Sequence, residues 1–384
     1  GTNGQLADGE KVQISADGVS WFDVNQNQNE SSASPSTSWT YSDTRRGDGT
    51  ITYQVRVIDS AGNVGSSASQ SVTIDTSAPS AGTLTLSGFS DTGTFGSDFI
   101  SSDNAFNLSL SGQEEGSSVV YESSTDNGLT WNTTGAVQTG LSSGSYLFRA
   151  QVTDRAGNIA NSNSIAVAVD ITPPGSLVGV SLSLAASSDT GSSITDNITK
   201  MTTPTVVVSG LGGTAMSAGD VIEIVDTSDA SKVVGRYTIS GRELSNGQWP
   251  SGPSGLSIGL NQGLSDGSHS LAVRIVDVAG NSGTSSSALL AVTIDTANPS
   301  EPVAVLAFDT GSSGSDGISS NGQITVSGLE PGGSWEYSVN GGSHWSAGSG
   351  TSFSLAAGSY ASGSVLVRGK DLAGNNSPSY SLGA

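Results

Sequence analysis

The sequence predicts an all-β protein made of antiparallel β-sandwiches in tandem. One phrase occurs four times in the 384 residues: an alternating apolar strand, the turn Asp-x-Ala-Gly-Asn, and a second strand. The turns begin at Asp59, Asp154, Asp277 and Asp371. Alternation with period two indicates a strand with one buried face, and Ala-Gly-Asn suits a tight reversal. Because no segment shows apolar residues at helical spacing beyond one turn, we expect strands throughout.

The spacing of the turns divides the chain into four repeats, at about residues 1–77, 78–172, 173–297 and 298–384. In the first three repeats the second strand ends at an exit aspartate, and a linker containing proline follows. The first repeat lacks the opening strands of the others, so we expect the sequence to be an excerpt from a longer chain.

The predicted inward residues are the alternating side chains before each turn, together with three tryptophans. They are Tyr53, Val55, Val57, Phe148, Ala150, Val152, Leu271, Val273, Ile275, Val365, Val367 and Gly369, with Trp21, Trp131 and Trp345. Arginine or glutamine occupies the positions between them in the strands, as expected for a face that meets water.

Composition excludes several function classes. The net charge is −21, from 34 acidic and 13 basic residues, which disfavours nucleic acid and anionic membranes as partners. No cysteine is present, so disulfides and thiol chemistry are excluded. No signal peptide or membrane-spanning stretch is evident. Short loops rich in aspartate suit a hard cation such as Ca²⁺, although the acidity could also serve solubility alone.

A second motif, Asp-Thr-Gly followed by another Asp seven positions after the first, opens the last three repeats. Its acid pairs are Asp91 and Asp98, Asp189 and Asp196, and Asp309 and Asp316. Two carboxylates at fixed spacing in a Ser/Gly loop favour a metal-ligating loop over a solvated one.

One motif resembles a functional signature of another class. Ser124-Thr-Asp126-Asn-Gly128-Leu-Thr-Trp131 fits the Asp box of sialidase-type propellers. We interpret it as a structural hairpin turn above a core tryptophan, because no arginine cluster or Tyr/Glu pair accompanies it. His269 and His344 occupy non-equivalent positions, so the sequence predicts no enzyme. A lectin-like, carbohydrate-binding module stays open as the alternative, and a glycan-cleaving enzyme would follow only if the Asp-box likeness were meaningful.

Taken together, the turns, linkers and Asp-Thr-Gly loops resemble the bacterial Ig-like tandem repeats of giant biofilm-associated and type I-secreted surface adhesins. The third repeat is most similar to the biofilm-adhesin type, through Gly219-Asp220-x-Val, Asn246-Gly-x-Trp249 and Leu264-x-Asp266-Gly-x-His269. The resemblance implies a secreted, extracellular rod at the bacterial cell surface, stiffened by Ca²⁺, that projects an adhesive tip for cell adhesion and biofilm formation. It further implies a monomeric segment whose partners are neighbouring Ig-like repeats of the same chain. A host-surface, glycan or other-cell ligand would bind only through parts of the protein not present here.

Strand order in a seven-strand sandwich predicts where calcium would bind. The Asp-x-Ala-Gly-Asn turn lies at the pole beside the preceding linker, and the Asp-Thr-Gly loop lies at the opposite pole. Acids of neighbouring repeats should therefore meet at each junction. For the first and second repeats they are Asp48, Asp75, Asp154 and Asn158. For the second and third they are Asp91, Asp98, Asp170, Asp277 and Asn281. For the third and fourth they are Asp189, Asp196, Asp266, Asp295, Asp371 and Asn375.

The alternative is that each turn Asp merely caps its own turn. The first junction should bind calcium more poorly, because the first repeat lacks an Asp-Thr-Gly loop. The last repeat lacks an exit aspartate, which leaves calcium binding at that end open. Sandwiches of roughly 35–45 Å each would form an extended rod on the order of 150 Å.

Overall fold

The computed structural model describes residues 6–7, 9–24, 39, 41–44, 47–246, 249 and 255–383, and no helix occurs among them. The chain divides into two compact units. The first contains residues 1–89 and 105–167, and the second contains residues 90–104 and 168–384.

The described part of the first repeat forms one antiparallel sheet with the strand order β2-β1-β3-β4. Its strands are β1 (Lys11–Ser15), β2 (Phe22–Asp23), β3 (Gly49–Ile58) and β4 (Ala68–Ile74). No second sheet covers this one in the part of the repeat that the structure describes. Val55, predicted to point inward, is accordingly 37% exposed.

The second repeat forms a sandwich. Its strands are β5 (Ala81–Ser87), β6 (Ile100–Ser101), β7 (Phe106–Gln113), β8 (Ser118–Ser124), β9 (Asn132–Thr134), β10 (Val137–Gln138), β11 (Gly144–Thr153), β12 (Ile159–Asn161) and β13 (Ile165–Val169). In the first unit, one sheet has the order β10-β7-β5, and the other has β13-β11-β8-β9 with β12 on β11. The rings of Phe106 and Phe148, from opposite sheets, are 5.6 Å apart between centroids and are both buried. This packing of two inner faces is the core of the repeat.

The third repeat lies wholly in the second unit. Its strands are β14 (Ser181–Leu184), β15 (Ile198–Thr199), β16 (Thr205–Ser209), β17 (Val221–Asp226), β18 (Lys232–Thr238), β19 (Leu256–Gly259), β20 (Gly267–Val276) and β21 (Leu290–Ile294). The sheets have the orders β14-β16-β19 and β15-β21-β20-β17-β18. Leu271, Val273 and Ile275 alternate along β20 into a large apolar core, as predicted.

The fourth repeat has a smaller sandwich of the same kind. Its strands are β22 (Val303–Leu306), β23 (Gln323–Ser327), β24 (Ser334–Ser338), β25 (Ser346–Ala347), β26 (Ser352–Ser354), β27 (Leu366–Lys370) and β28 (Tyr380–Ser381). The sheets are β22-β23-β26 and β25-β24-β27-β28. Val365 and Val367 are buried together with Trp335 in its core.

The prediction of three inward tryptophans is wrong. Trp21, Trp131 and Trp345 are only partly buried, and each lies under the guanidinium of an arginine, with 3.8–4.0 Å from the arginine Cζ to the ring centroid. These are Arg56, Arg149 and Arg368. Each arginine alternates with inward residues along its strand and so stands on the outer face. The tryptophans therefore close the hairpins on that outer face through cation–π contacts.

Candidate metal and docking sites at the repeat junctions

Each Asp-x-Ala-Gly-Asn turn is held by its own aspartate. At Asp154, Oδ1 accepts hydrogen bonds from the backbone N–H groups of Ala156, Gly157 and Asn158, and Oδ2 accepts one from Asn158 Nδ2 at 2.8 Å. The hydrogen bond from the Asn158 side chain, with those from the backbone, lowers the pKa of Asp154. Asp59, Asp277 and Asp371 also accept hydrogen bonds from the backbone N–H and the side chain of their turn asparagine. This is the capping geometry of the alternative to metal binding, and a metal role for these aspartates stays a prediction.

The turn asparagine also joins its repeat to the preceding linker. Its Nδ2 donates to the backbone carbonyl of the exit aspartate at all three junctions. The pairs are Asn158 with Asp75 (3.1 Å), Asn281 with Asp170 (2.7 Å) and Asn375 with Asp295 (2.8 Å). The turn and exit residues that the sequence assigns to one junction therefore lie together.

The other predicted acids of the linkers cap the backbone. Asp48 and Asp266 directly precede the ten-residue strands β3 and β20, and each accepts hydrogen bonds from the N–H and the hydroxyl of the linker threonine, Thr76 or Thr296. Both fix the linker where it leaves the sandwich.

In the second unit, the Asp-Thr-Gly loops contact the turn of the following repeat. Thr92 Oγ1 donates to the carbonyl of Ala279 at 2.7 Å, and Thr190 Oγ1 donates to that of Ala373 at 2.6 Å. The adjacent glycine lets the backbones meet. A Cβ on Gly93 would lie 2.0 Å from the carbonyl oxygen of Val278, and one on Gly191 would lie 1.9 Å from that of Leu372. No side chain larger than hydrogen fits there without a backbone shift.

Lys200 adds a further bond at the junction of the third and fourth repeats. Its Nζ donates to the carbonyl of Gly374 at 2.7 Å. Nothing in the sequence marked Lys200, Thr92 or Thr190 for a contact role. Their acceptors are backbone carbonyls, which leave no residue-type signal in a sequence, although the repetition of Asp-Thr-Gly marked the loops.

The first aspartate of each Asp-Thr-Gly loop has one satisfied and one unsatisfied oxygen. Oδ2 of Asp91, Asp189 and Asp309 accepts a hydrogen bond from a backbone N–H eight residues later, at 3.0–3.1 Å. Oδ1 of each is buried and meets no hydrogen-bond donor in the described part of the chain. A buried carboxylate oxygen without a donor is costly, and a bound cation would offset that cost.

Two buried aspartates in the second unit have raised pKa values. Burial raises the pKa of Asp189, and repulsion from Asp196 in the same loop adds to it. Burial likewise raises the pKa of Asp220, with further contributions from Asp277 and Asp170. Asp220 is a junction acid that the sequence analysis assigned to no site, although its Gly-Asp-x-Val motif was visible.

The oxygen atoms available in the loops decide whether these residues suit calcium. The described residues contain no group of three or more His, Cys, Asp or Glu placed to hold a metal. Calcium takes 6–8 oxygen ligands and accepts backbone carbonyls and water beside carboxylates. The loop pairs Asp91 with Asp98 and Asp189 with Asp196 would supply only the charged part of such a ligand set, and their metal role stays a prediction. Asp309 with Asp316 forms the same kind of pair in the fourth repeat.

Comparison with protein families assigns the chain. The family model of the bacterial Ig-like domain matches residues 4–76, 78–171 and 177–296. The chain belongs to the bacterial Ig-like domain family. The all-β fold and the Ig-like resemblance predicted from the sequence are confirmed. Bacterial Ig-like domains are structural modules, not enzymes.

Solved structures add several distant likenesses. The FN1–FN3 domains of chicken CNTN1 match at 10% identity, with a TM-score of 0.32, over 74% of this chain and 88% of theirs. A Ca²⁺-stabilized adhesin that helps an Antarctic bacterium bind ice matches at 17% identity, with a TM-score of 0.30, over 100% and 91%. A 1.5-MDa bacterial ice-binding adhesin matches at 16% identity, with a TM-score of 0.28, over 74% and 85%. A search of curated proteins finds no match to these Ig-like repeats. Among the described residues, no helix is long and apolar enough to cross a membrane.

Proposed function

We propose that this chain is a calcium-stiffened spacer of an extracellular bacterial surface adhesin. Its Ig-like repeats would hold an adhesive tip away from the cell for adhesion and biofilm formation. The observation that carries the proposal is the buried Oδ1 of Asp91, Asp189 and Asp309, which meets no hydrogen-bond donor among the described residues in any of the three Asp-Thr-Gly loops. A spacer needs stiff junctions, and the acids at these junctions are poorly compensated without a cation.

Calcium would be held by the paired acids of the loops, with the exit and turn aspartates as further candidates. Bound there, the cation supplies positive charge where burial and repulsion raise the pKa of Asp189. Sites on extracellular modules commonly have dissociation constants of about 0.1–1 mM. Such affinity suffices outside a cell, where calcium is abundant.

A calcium titration of the whole chain tests the proposal, read by calorimetry and by thermal unfolding. We expect binding at about 0.1–1 mM, with a rise in melting temperature. Asp189→Asn keeps the shape of the side chain and removes its charge, so it should lose one site.

Asp229→Asn is the matched control, because Asp229 is exposed and forms an ion pair with Lys232 at 3.8 Å, outside the Asp-Thr-Gly loops. The control should bind calcium like the original chain. Absence of calcium binding, or equal losses in both variants, contradicts the calcium role. Specific binding on a glycan array would favour the carbohydrate-binding alternative.

A further inference from the structure

The second, third and fourth repeats share a hydrogen bond at the corner that leads into the strand before the Asp-x-Ala-Gly-Asn turn. In each, a ring in a Gly-Ser-Tyr or Gly-Ser-His sequence bonds back to the backbone carbonyl four residues earlier. Such corners recur in Ig-like sandwiches, where the ring is that of a tyrosine. The three pairs are Tyr146 with Ser142 (3.0 Å), Tyr360 with Ala356 (3.0 Å) and His269 with Ser265 (2.8 Å). The third repeat therefore has a histidine where the second and fourth have a tyrosine.

The histidine differs from the tyrosines because both of its ring nitrogens face an acceptor. Nδ1 of His269 lies 2.6 Å from Oδ2 of Asp226, while Nε2 lies against the carbonyl of Ser265. A neutral imidazole has one N–H, so only the imidazolium donates to both acceptors at once. A tyrosine hydroxyl has an ordinary pKa of about 10 and keeps its proton throughout the neutral range. The corner bond of the third repeat thus depends on a proton that histidine exchanges near neutral pH.

The acids on β17 and in the turn after it face the ring. Asp226 on β17 is buried, and its other carboxylate oxygen accepts hydrogen bonds from the N–H and the hydroxyl of Ser228. Asp229, in the turn after β17, adds a second negative charge near His269 and pairs with Lys232 at 3.8 Å. Two carboxylates therefore favour the charged ring.

The other neighbouring elements bring no positive charge to the ring among the described contacts. On β21, the apolar Val292 lies opposite His269 in the sheet register. The preceding loop brings Asp266, one residue after the acceptor carbonyl. Burial alone would lower the pKa of His269, but the bond to Ser265 and the bond to Asp226 raise it overall. The folded repeat therefore keeps the ring charged to a higher pH than an exposed histidine.

The bond to Ser265 also reaches the linker between the third and fourth repeats. The carbonyl of Ser265 belongs to the same peptide group as the N–H of Asp266. The Asp266 carboxylate in turn accepts hydrogen bonds from the N–H and the hydroxyl of Thr296. Thr296 directly follows the exit residue Asp295. His269 therefore fixes the backbone of the residue that caps the linker.

We propose that His269 is a proton-operated latch on this linker. The imidazolium ties β17 to the loop before β20 and so holds Asp266 in place for Thr296. When the ring releases a proton to water, Nδ1–H stays with Asp226, because a carboxylate is a stronger acceptor than a carbonyl. Nε2 then presents a lone pair to the carbonyl of Ser265, the two repel, and the loop and linker loosen. The latch needs no metal, so it goes beyond the proposed calcium function.

Amide hydrogen exchange at Thr296 of the whole chain tests the latch, with Thr76 as the internal reference. Thr76 N donates to Asp48 at 2.8 Å in the same kind of cap, and Ile51 occupies the position of His269, eight residues before the turn aspartate. After correction for intrinsic exchange, we expect the protection of Thr296 relative to Thr76 to fall about tenfold between about pH 6 and about pH 9. Chelator is present throughout, so calcium contributes at neither pH.

Variants of the two histidines decide the assignment. His269→Gln has no charge at any pH, so the relative protection of Thr296 should no longer change with pH. His269→Tyr introduces the residue of the other two corners, and its hydroxyl should hold the loop at both pH values. His344→Gln removes the exposed histidine of the fourth repeat and should keep the pH dependence of the original chain.

Nuclear magnetic resonance of the ring nitrogens of His269 reads its protonation directly. We expect both nitrogens to carry a proton at pH 6.5, the ordinary histidine pKa, and the titration midpoint to lie above it. A midpoint at or below 6.5 overturns the proposal. Relative protection of Thr296 that stays constant over the pH range, or a change that survives His269→Gln and His269→Tyr, overturns it as well.

Discussion

Single glycines set how closely consecutive Ig-like repeats approach. Gly93 has no Cβ where the carbonyl oxygen of Val278 would lie 2.0 Å from one. Its φ lies outside the left-handed region that favours glycine. Glycine is therefore needed at this position only because a Cβ would not fit. Gly96, three residues later in the same loop, has open space around it.

Gly93→Ala should therefore weaken the contact between this loop and the Asp277–Asn281 turn. The added methyl group overlaps backbone, which cannot move aside cheaply, so we expect a loss of about 1–3 kcal/mol. Hydrogen exchange at Ser102, whose N–H donates to the carbonyl of Ala279 at 3.0 Å, measures the change. Gly96→Ala should leave that exchange unaltered, and equal effects of the two substitutions would refute the steric account.

A second residue-scale prediction concerns a partly buried histidine of the third repeat. His269 Nδ1 lies 2.6 Å from Asp226 Oδ2, and Nε2 lies 2.8 Å from the carbonyl of Ser265. Burial alone would lower the pKa of His269, but the bond to Ser265 and the charges of Asp226 and Asp229 raise it overall. A pKa raised by folding stabilises the folded state below the unfolded pKa, and this stability is lost as pH rises through the folded pKa.

The third repeat should thus lose stability as pH rises through and above the ordinary histidine pKa of 6.5. The pKa of Asp226 is lowered despite its burial, because Ser228 and His269 donate to it, so its own contribution is lost only as pH falls through that depressed value. Hydrogen exchange of β17 and β20 against pH measures the trend. His269→Gln should flatten the histidine part of the profile. His344→Gln, at an exposed position, should keep it.

At the scale of elements, the turn and the linker form one unit. Asn281 donates to both Asp277 Oδ2 and the carbonyl of Asp170, so it bonds its own turn and the preceding linker at once. Asn63 has the same bond to its own aspartate, at 2.8 Å. Asn63 of the first repeat therefore serves as the control for losing the bond within the turn.

Asn281→Ala should destabilise the junction of the second and third repeats by about 1–3 kcal/mol, because it removes the donor to both acceptors. Asn63→Ala should affect only the turn of the first repeat. Limited proteolysis across residues 170–176 reports on the linker. Protection that stays the same in Asn281→Ala would show that this asparagine does not hold the linker.

The sequence predicted the strands and the turns well, because alternation and turn chemistry are local properties. It misplaced Trp21, Trp131 and Trp345, since a hairpin motif does not state which face of the sheet its tryptophan covers. The arginine opposite each ring places the tryptophan on the outer face, and this Trp–Arg pairing depends on cross-strand register. The bonds from the threonines of the Asp-Thr-Gly loops to backbone carbonyls could also not be predicted from the sequence, because a residue of any type can supply a backbone carbonyl.

At the scale of the whole molecule, the proposed calcium sites and the direct threonine contacts fall at the same two junctions. In the second unit, the loops of the second and third repeats bond the following turn through Thr92 and Thr190. At the junction of the first and second repeats, the first repeat has no Asp-Thr-Gly loop, and Asn158 bonds the carbonyl of Asp75. Chelation should therefore loosen this first junction least, because the acid pairs proposed to hold calcium belong to the Asp-Thr-Gly loops.

Small-angle scattering with and without chelator tests the extended rod. We expect a maximum dimension on the order of 150 Å in calcium, from four repeats end to end. Chelator should leave the sandwiches folded, since their cores contain no metal ligand in the described residues, and should change the radius of gyration through the junctions. Asp295→Ala should loosen the junction of the third and fourth repeats even in calcium, with new protease cleavage near residues 295–300. A maximum dimension near roughly 80 Å in calcium would exclude the rod, because it equals only about two sandwiches. If chelator changes neither the radius of gyration nor the cleavage of the linkers, calcium does not bridge the repeats.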